Sequence, residues 1–253
     1  MGQPGDIPLF PVVERIRQEA LRLGADVCGV AALAGFAGAP DGFRPTDVWK
    51  DCQSVLCFGI ALPSALLEEK PDYLYGHFNE LSAQMVDTVA FRLSCWMERE
   101  LGYRALPLPC DTPYEAWKPE TLEGRGILSV KHAAVAAGIG TLGKNTMLLH
   151  PRFGNRLTLG VVLCELPLPA DPPAKPLCPP GCQRCLKACP THALDGTSAN
   201  QALCRPQAYG KDARGFDIVR CNRCRTVCPL RNGLKSGKSL TKEEAVIHEE
   251  DHV

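Results

Sequence analysis

The sequence has no apolar run approaching the roughly 18 residues that a membrane-spanning helix needs. Its opening stretch, MGQPGDIPLFPVVERIRQEA, carries no basic segment leading into an apolar one. Neither a span nor a secretory leader is expected, and the chain reads as cytoplasmic. Charge of one sign is missing too. The 28 Lys and Arg balance 28 Asp and Glu, so no global field calls for nucleic acid or an anionic membrane. Aromatic residues are few, and between residues 184 and 242 only Tyr209 and Phe216 occur, too few to stack the bases of a single strand.

What is abundant is cysteine. Fourteen in a short secreted chain would mean a disulfide scaffold, but 253 residues at 45% hydrophobic content are enough for one or two packed domains. Cys28, Cys52, Cys57, Cys95, Cys110 and Cys164 are scattered in mostly apolar surroundings and read as core thiols. The other eight crowd into one segment.

Before that segment, residues 11–23 place Val12, Ile16, Leu21 and Leu23 near one face of a helix stopped by Gly24. ADVCGVAAL and SVLCFGIAL read as buried strands. EEKPDYLYGHFNE reads as a loop carrying Tyr73, Tyr75 and His77. From Leu81 to Leu101 the spacing of Met85, Val86, Val89, Leu93, Trp96 and Met97 predicts a long amphipathic helix. YRALPLP is a strand, ILSVKHAAVAAG a helix and RLTLGVVLCEL a further strand. The alternation predicts a layered α/β domain over residues 1–168, followed by a cysteine module over 169–230 and a polar tail over 231–253. Prolines in PLPADPPAKPLCPP mark the linker, and beyond it large apolar residues are too few for an independent core.

The cysteine module reads C-x3-C-x2-C-x3-C-P, then C-x2-C-x3-C-P, with Cys204 between them. Zinc ribbons use two separated CxxC pairs on one tetrahedral ion and do not require the C-P endings. Two-cluster ferredoxins use three close cysteines for one cubane and send the fourth, followed by Pro, to the other. On that arithmetic Cys178, Cys182, Cys185 and the distant Cys228 hold one 4Fe-4S cluster, and Cys189, Cys204, Cys221 and Cys224 hold the second. Twelve Lys or Arg against three Asp between residues 184 and 242 would hold up the potentials of anionic clusters or dock an acidic electron donor such as flavodoxin or ferredoxin.

The stretch AAVAAGIGTLGKNTMLL contains Gly138-x-Gly140-x-x-Gly143, but a helix precedes the glycines and a strand follows, the reverse of a dinucleotide fingerprint. As a P-loop it is one residue short and has Asn145 where Ser or Thr must follow Lys144. What remains is a glycine loop whose Lys144, Asn145 and Thr146 can bind something polar.

HAAVAAGIGTLGKNTMLL, then RLTLGVVLCELPL, a Pro-rich linker and CQRCLKACPTHAL together resemble the epoxyqueuosine reductase family, cobalamin-dependent iron-sulfur enzymes related to reductive dehalogenases. The likeness runs over about residues 103–229. It implies a nitroreductase-like first domain holding base-off cobalamin and a double-cluster ferredoxin-like module passing single electrons to cobalt. It places Lys131, His132, Gly138, Gly140, Gly143, Lys144, Asn145 and Thr146 beside the cofactor. Flavin, or no organic cofactor at all, is the alternative. The chain departs from the family in having Thr141 where Trp is usual, one extra residue between the first two cysteines, and no helical repeats after the clusters. The family's proton-donating Asp-Thr-x-Pro stretch aligns near Gly124, whereas Asp111-Thr112-Pro113 lies earlier; Asp111 is the catalytic candidate only across an insertion. A small molecule or corrinoid, rather than tRNA, is the expected substrate of an oxidoreductase of this kind. The alternative is an electron carrier that docks on a redox partner and performs no bond chemistry.

Overall fold

Two segments, SVLCFGIA and LTLGVVLC, are apolar at nearly every position, and strands of that kind need cover on both faces. In the computed structural model, which describes residues 9–68 and 71–234, they form the middle of a four-stranded sheet. Strands β1 (Val27–Ala32), β2 (Ser54–Ala61), β3 (Ala105–Leu108) and β4 (Leu157–Cys164) lie in the order β1-β2-β4-β3. Every neighbouring pair is antiparallel, with Leu56 opposite Val162 and Cys57 opposite Val161. The fold is mixed α/β, as the alternation of elements implies, but alternation leaves strand direction open and no parallel pair occurs in this sheet.

Successive side chains of a strand point to opposite faces, and the two faces have different cover. Leu56, Phe58, Val162 and Cys164 pack with Ile16 of helix α1 (Leu9–Arg22) and with Val86 and Leu93 of α2 (Gly76–Trp96). Val55, Cys57, Val161 and Leu163 pack with Ala133, Ala134 and Ala137 at α3 (Val130–Ala136). Each such fully buried Leu, Val or Phe contributes about 1.5–3 kcal/mol, so this double-sided core carries most of the folding free energy. Five of the scattered thiols, Cys28, Cys52, Cys57, Cys110 and Cys164, lie in these two clusters or against them as small apolar groups. Burial pushes the Cys164 thiol up to about 11, which keeps it protonated.

Three expectations need correction. Leu21 is 48% exposed, because α1 buries Val12, Val13, Ile16 and Ala20 and turns Leu21 away from the sheet. Met85, assigned to the apolar stripe, is 45% exposed, while Val86, Val89 and Leu93 face the core. The stretch read as a loop around Tyr73, Tyr75 and His77 is helical: Pro71–Tyr75 forms a wide turn that runs straight into α2 at Gly76. Tyr75 is buried with Leu62 and Leu67 under Val219, so tertiary packing overrides the local breaker signal.

The Pro-rich linker is pinned to the sheet domain. Asp171 accepts from the Arg17 guanidinium on both carboxylate oxygens, at 2.6 and 2.7 Å, and also accepts the Val30 N–H at 2.7 Å. Its own N–H donates to Val30 O at 2.9 Å, so one linker residue extends the edge of β1. Beyond it the cysteine segment contains the short helices α4 (Arg184–Ala188), α5 (Gln201–Ala208) and α6 (Arg223–Thr226) and a ribbon of Tyr209–Lys211 with Asp217–Val219. The first four residues of the expected tail, 231–234, return to the sheet domain, where the Leu234 N–H donates to Pro151 O at 2.7 Å; residues 235–253 lie outside the described residues.

Replacing Asp171 with Ala removes a half-buried ion pair and leaves Arg17 and the Val30 N–H without their acceptor. We expect a loss of about 2 kcal/mol in chemical denaturation, and a double-mutant cycle with Arg17→Ala that is clearly non-additive.

Candidate functional site

The eight clustered cysteines span residues 178 to 228, and the fold sorts them into two sets. Burial is the leading cause of the raised pKa of Cys185, and the thiols of Cys178 and Cys182 add to it. Cys228 is likewise raised by burial first, with Cys178, Cys185 and Cys182 as its interacting neighbours. In the other set, burial raises Cys204 with Cys189 and Cys221 beside it, and pushes Cys224 up to about 11 with Cys204, Cys221 and Cys189 beside it. No thiol of one set contributes to those shifts in the other. Cys185 lies on α4 and Cys189 at its C-terminal end, yet Cys189 faces the second set; Cys228, which follows α6, makes the reverse crossing. The two motifs are built alike, with Arg184 opening α4 between Cys182 and Cys185, and Arg223 opening α6 between Cys221 and Cys224.

Among the described residues, no three His, Cys, Asp or Glu side chains are arranged to hold a single metal ion. A tetrahedral zinc site requires four ligands within bonding distance of one ion, whereas each thiolate of a cubane binds a different iron and the sulfurs stand farther apart. The second set also has hydrogen-bond donors aimed at sulfur. Burial pushes the Cys189 thiol up, but the N–H groups of Ala193 (3.3 Å from Sγ), Thr191 and Leu194 and the Thr191 hydroxyl outweigh it, and the net shift is downward.

The glycine loop at residues 138–146 clamps this segment. Lys144 Nζ donates to Cys182 O at 3.0 Å, and Asn145, 3% exposed, donates to Cys224 O at 2.8 Å while accepting the Met147 N–H. Fully buried Asn155 donates to Arg225 O at 3.0 Å. Thr141 Oγ1 accepts the Leu177 N–H at 3.2 Å. A narrow cleft lies between Gly143, Lys144 and Asn145 on one side and Cys178, Cys182, Cys185 and Cys228 on the other.

The glycines of the loop serve its packing within the protein. A side chain at Gly138 (φ 67°) would strike Pro172 O of the linker, and one at Gly140 would strike Leu149 O. The glycines permit close approach of the protein's own backbone. Thr146 closes the turn, its N–H donating to Gly143 O at 2.8 Å. Lys144 and Asn145 thus tie the loop to the cysteine segment. His132 is exposed and its Nδ1 pairs with Ser129 Oγ at 2.7 Å, a first-turn arrangement. His150 Nδ1 accepts the N–H groups of Arg152 and Phe153, which organises a turn.

Lys131 is different. Its ammonium is pushed below the usual lysine range, first by burial and then by Arg225, with Cys224 opposing. Arg225 stacks over the Tyr75 ring at 5.7 Å. Asp111 is exposed and accepts the Tyr114 hydroxyl at 3.2 Å. Its stretch is nevertheless gripped by α5. Tyr114 stacks on Trp117, Arg205 covers both rings and donates to Tyr114 Oη at 3.0 Å, and Gln201 pairs with both backbone groups of Gly124. Sequence reasoning missed Gln201, Arg205, Tyr114 and Asn155, because each acts on a partner about 70 or more residues away and no local pattern marks it.

Among solved structures, this fold matches an epoxyqueuosine reductase (TM-score 0.63, 20% identity, 90% of this chain and 68% of that one). It also matches an epoxyqueuosine reductase solved with an epoxyqueuosine-modified tRNA-Tyr stem loop (TM-score 0.62, 20% identity, 93% and 69%). A catabolic reductive dehalogenase matches with a TM-score of 0.66 at 20% identity, over 98% of this chain and 35% of that one. The chain thus has the fold shared by those two groups of enzymes. In sequence, it is 35% identical over 120 residues to the epoxyqueuosine reductase of Bacillus cereus, covering 43% of this chain and 31% of that one. It is 28% identical over 243 residues to that of a Synechococcus strain, covering 88% and 69%. In sequence as in fold it is similar to epoxyqueuosine reductases. No family model matches it. The aligned regions span 31%, 51% and 31% of the first three curated relatives. Among the described residues no helix is long and apolar enough to cross a membrane.

Asn145→Ala leaves the Cys224 carbonyl buried without its donor. We expect about 1–3 kcal/mol of destabilisation and a lower iron content after reconstitution, read by denaturation and by iron analysis of the same preparation.

Proposed function

We propose that the chain is an oxidoreductase that relays single electrons through two 4Fe-4S clusters to an acceptor bound where the sheet domain meets the cysteine segment. The observation that carries this is the sorting of eight thiols into two crossing sets, 178/182/185/228 and 189/204/221/224. The crossing is the two-cluster ferredoxin arrangement, and it supports a ferredoxin-like module over residues 169–230 behind a nitroreductase-like domain over 1–168. A chain that only carried electrons would not need the sheet domain, which makes up most of the described residues.

A corrinoid is the acceptor favoured by the likeness to a dehalogenase whose structure bears on B12-dependent dehalogenation. When bound, it supplies a strongly reducing cobalt centre. The groups proposed to face a bound molecule are those around Lys131, Tyr75 and Arg225. Nothing in the relatives favours the flavin alternative. The substrate reading stays with a small molecule or a corrinoid, reduced with electrons from a flavodoxin- or ferredoxin-type donor. Asp111, near enough to Tyr209 to add to the raising of its phenol that burial begins, is the proposed proton source.

Anaerobically reconstituted protein should contain about eight iron and eight sulfide per chain, two cubanes' worth. Cys189→Ser should lower the iron toward half and remove the spectral signature of one cluster while sparing the other. Zinc without acid-labile sulfide would defeat the reading. Titration with cob(II)alamin should shift its spectrum to the base-off form; a silent titration, with both clusters present, leaves the electron-carrier alternative.

A further inference from the structure

A buried guanidinium with an unused donor is costly, and in a folded protein it points to a missing partner. Arg225 is 8% exposed, and its Nη1 is buried with no hydrogen-bond partner among the described residues. Its backbone is fixed from two sides, the N–H donating to Asn222 O at 2.9 Å and the carbonyl accepting from Asn155 at 3.0 Å, so the side chain is aimed by the fold. Its guanidinium lies over the Tyr75 ring at 5.7 Å, and its charge adds to the burial that lowers the Lys131 ammonium. Neither cation makes an ion pair among the described residues. The buried guanidinium therefore keeps an open donor with no carboxylate paired to it among the described residues, and Lys131 adds positive charge to the same region. An anion there would satisfy the open donor and offset the like charges.

We propose that Arg225 and Lys131, beside Tyr75, form a receptor for an oxyanion, a carboxylate or phosphate group on the molecule that binds next to the Cys224 cluster. This rests on the reading of the region as an acceptor site and adds the chemical class it selects. Arg225 supplies a planar donor pair suited to two oxygens, and Lys131 supplies a point charge. The binding is electrostatic and directional, so a neutral molecule of the same shape is rejected.

The test is calorimetric titration of the anaerobically reconstituted full chain with benzoate, benzamide and inorganic phosphate. Iron and sulfide are measured on the same samples, so a missing cluster is seen separately from a missing anion site. Benzoate or phosphate should bind and benzamide should not. Arg225→Gln and Lys131→Gln should each weaken anion binding at least tenfold, and Arg225→Lys should retain most of it. Parallel titrations with cob(II)alamin and with cobinamide, which lacks the nucleotide phosphate, identify the source. Variants that weaken benzoate assign the oxyanion to substrate; variants that weaken cob(II)alamin but not cobinamide assign it to the cofactor phosphate. Equal binding of benzamide, or anion affinity unchanged in both Gln variants, overturns the proposal. So does a shift in cluster potential with no change in anion affinity, which would make the two cations counter-charges of the cluster alone.

Discussion

The cysteine segment is held by side-chain amides and an ammonium that reach from the sheet domain to its backbone carbonyls. Asn145 on Cys224 O, Asn155 on Arg225 O and Lys144 on Cys182 O fix the ligand-bearing turns at three points. A segment with so few large apolar residues cannot bury enough surface to order itself, and isolated carbonyls facing a sheet domain must be matched one by one. The rest follows from that requirement. The glycines at 138 and 140 let the loop come close to the linker and to the strand after it, and the loop's polar residues then meet the cysteine turns.

The same dependence shapes the electrostatics. Thiol groups collected in two sets, with cations from α6 and α3 around the second, make a region whose charge balance is completed only by bound groups. Hydrogen bonds to Cys189 sulfur from Thr191 and Ala193 favour its thiolate before any metal arrives.

Much of this was legible in the sequence where one residue type dictates the chemistry. The cysteine spacing with its C-P endings indicates the crossing sets, and the uniformly apolar strands SVLCFGIA and LTLGVVLC indicate a sheet covered on both faces. The pieces that were not legible depend on distant contacts. Prolines and glycines around Tyr75 signal a loop, yet burial of Tyr75 beneath Val219 makes the stretch helical. The glycine loop reads as a site for something polar, and that Lys144 and Asn145 also hold the cysteine turns was not legible. Asp171, Asn155 and Gln201 are ordinary polar residues in sequence, and only the fold brings them to Arg17, Arg225 and Gly124.

The central claim is that eight cysteines form two crossing sets, each around its own cubane. Anomalous scattering at the iron edge from anaerobically grown crystals measures it directly. The account predicts two compact iron peaks, one enclosed by Cys178, Cys182, Cys185 and Cys228 and the other by Cys189, Cys204, Cys221 and Cys224. A single peak, peaks at the zinc edge, or a pairing in which Cys189 stays with Cys185 and Cys228 with Cys224 would contradict it.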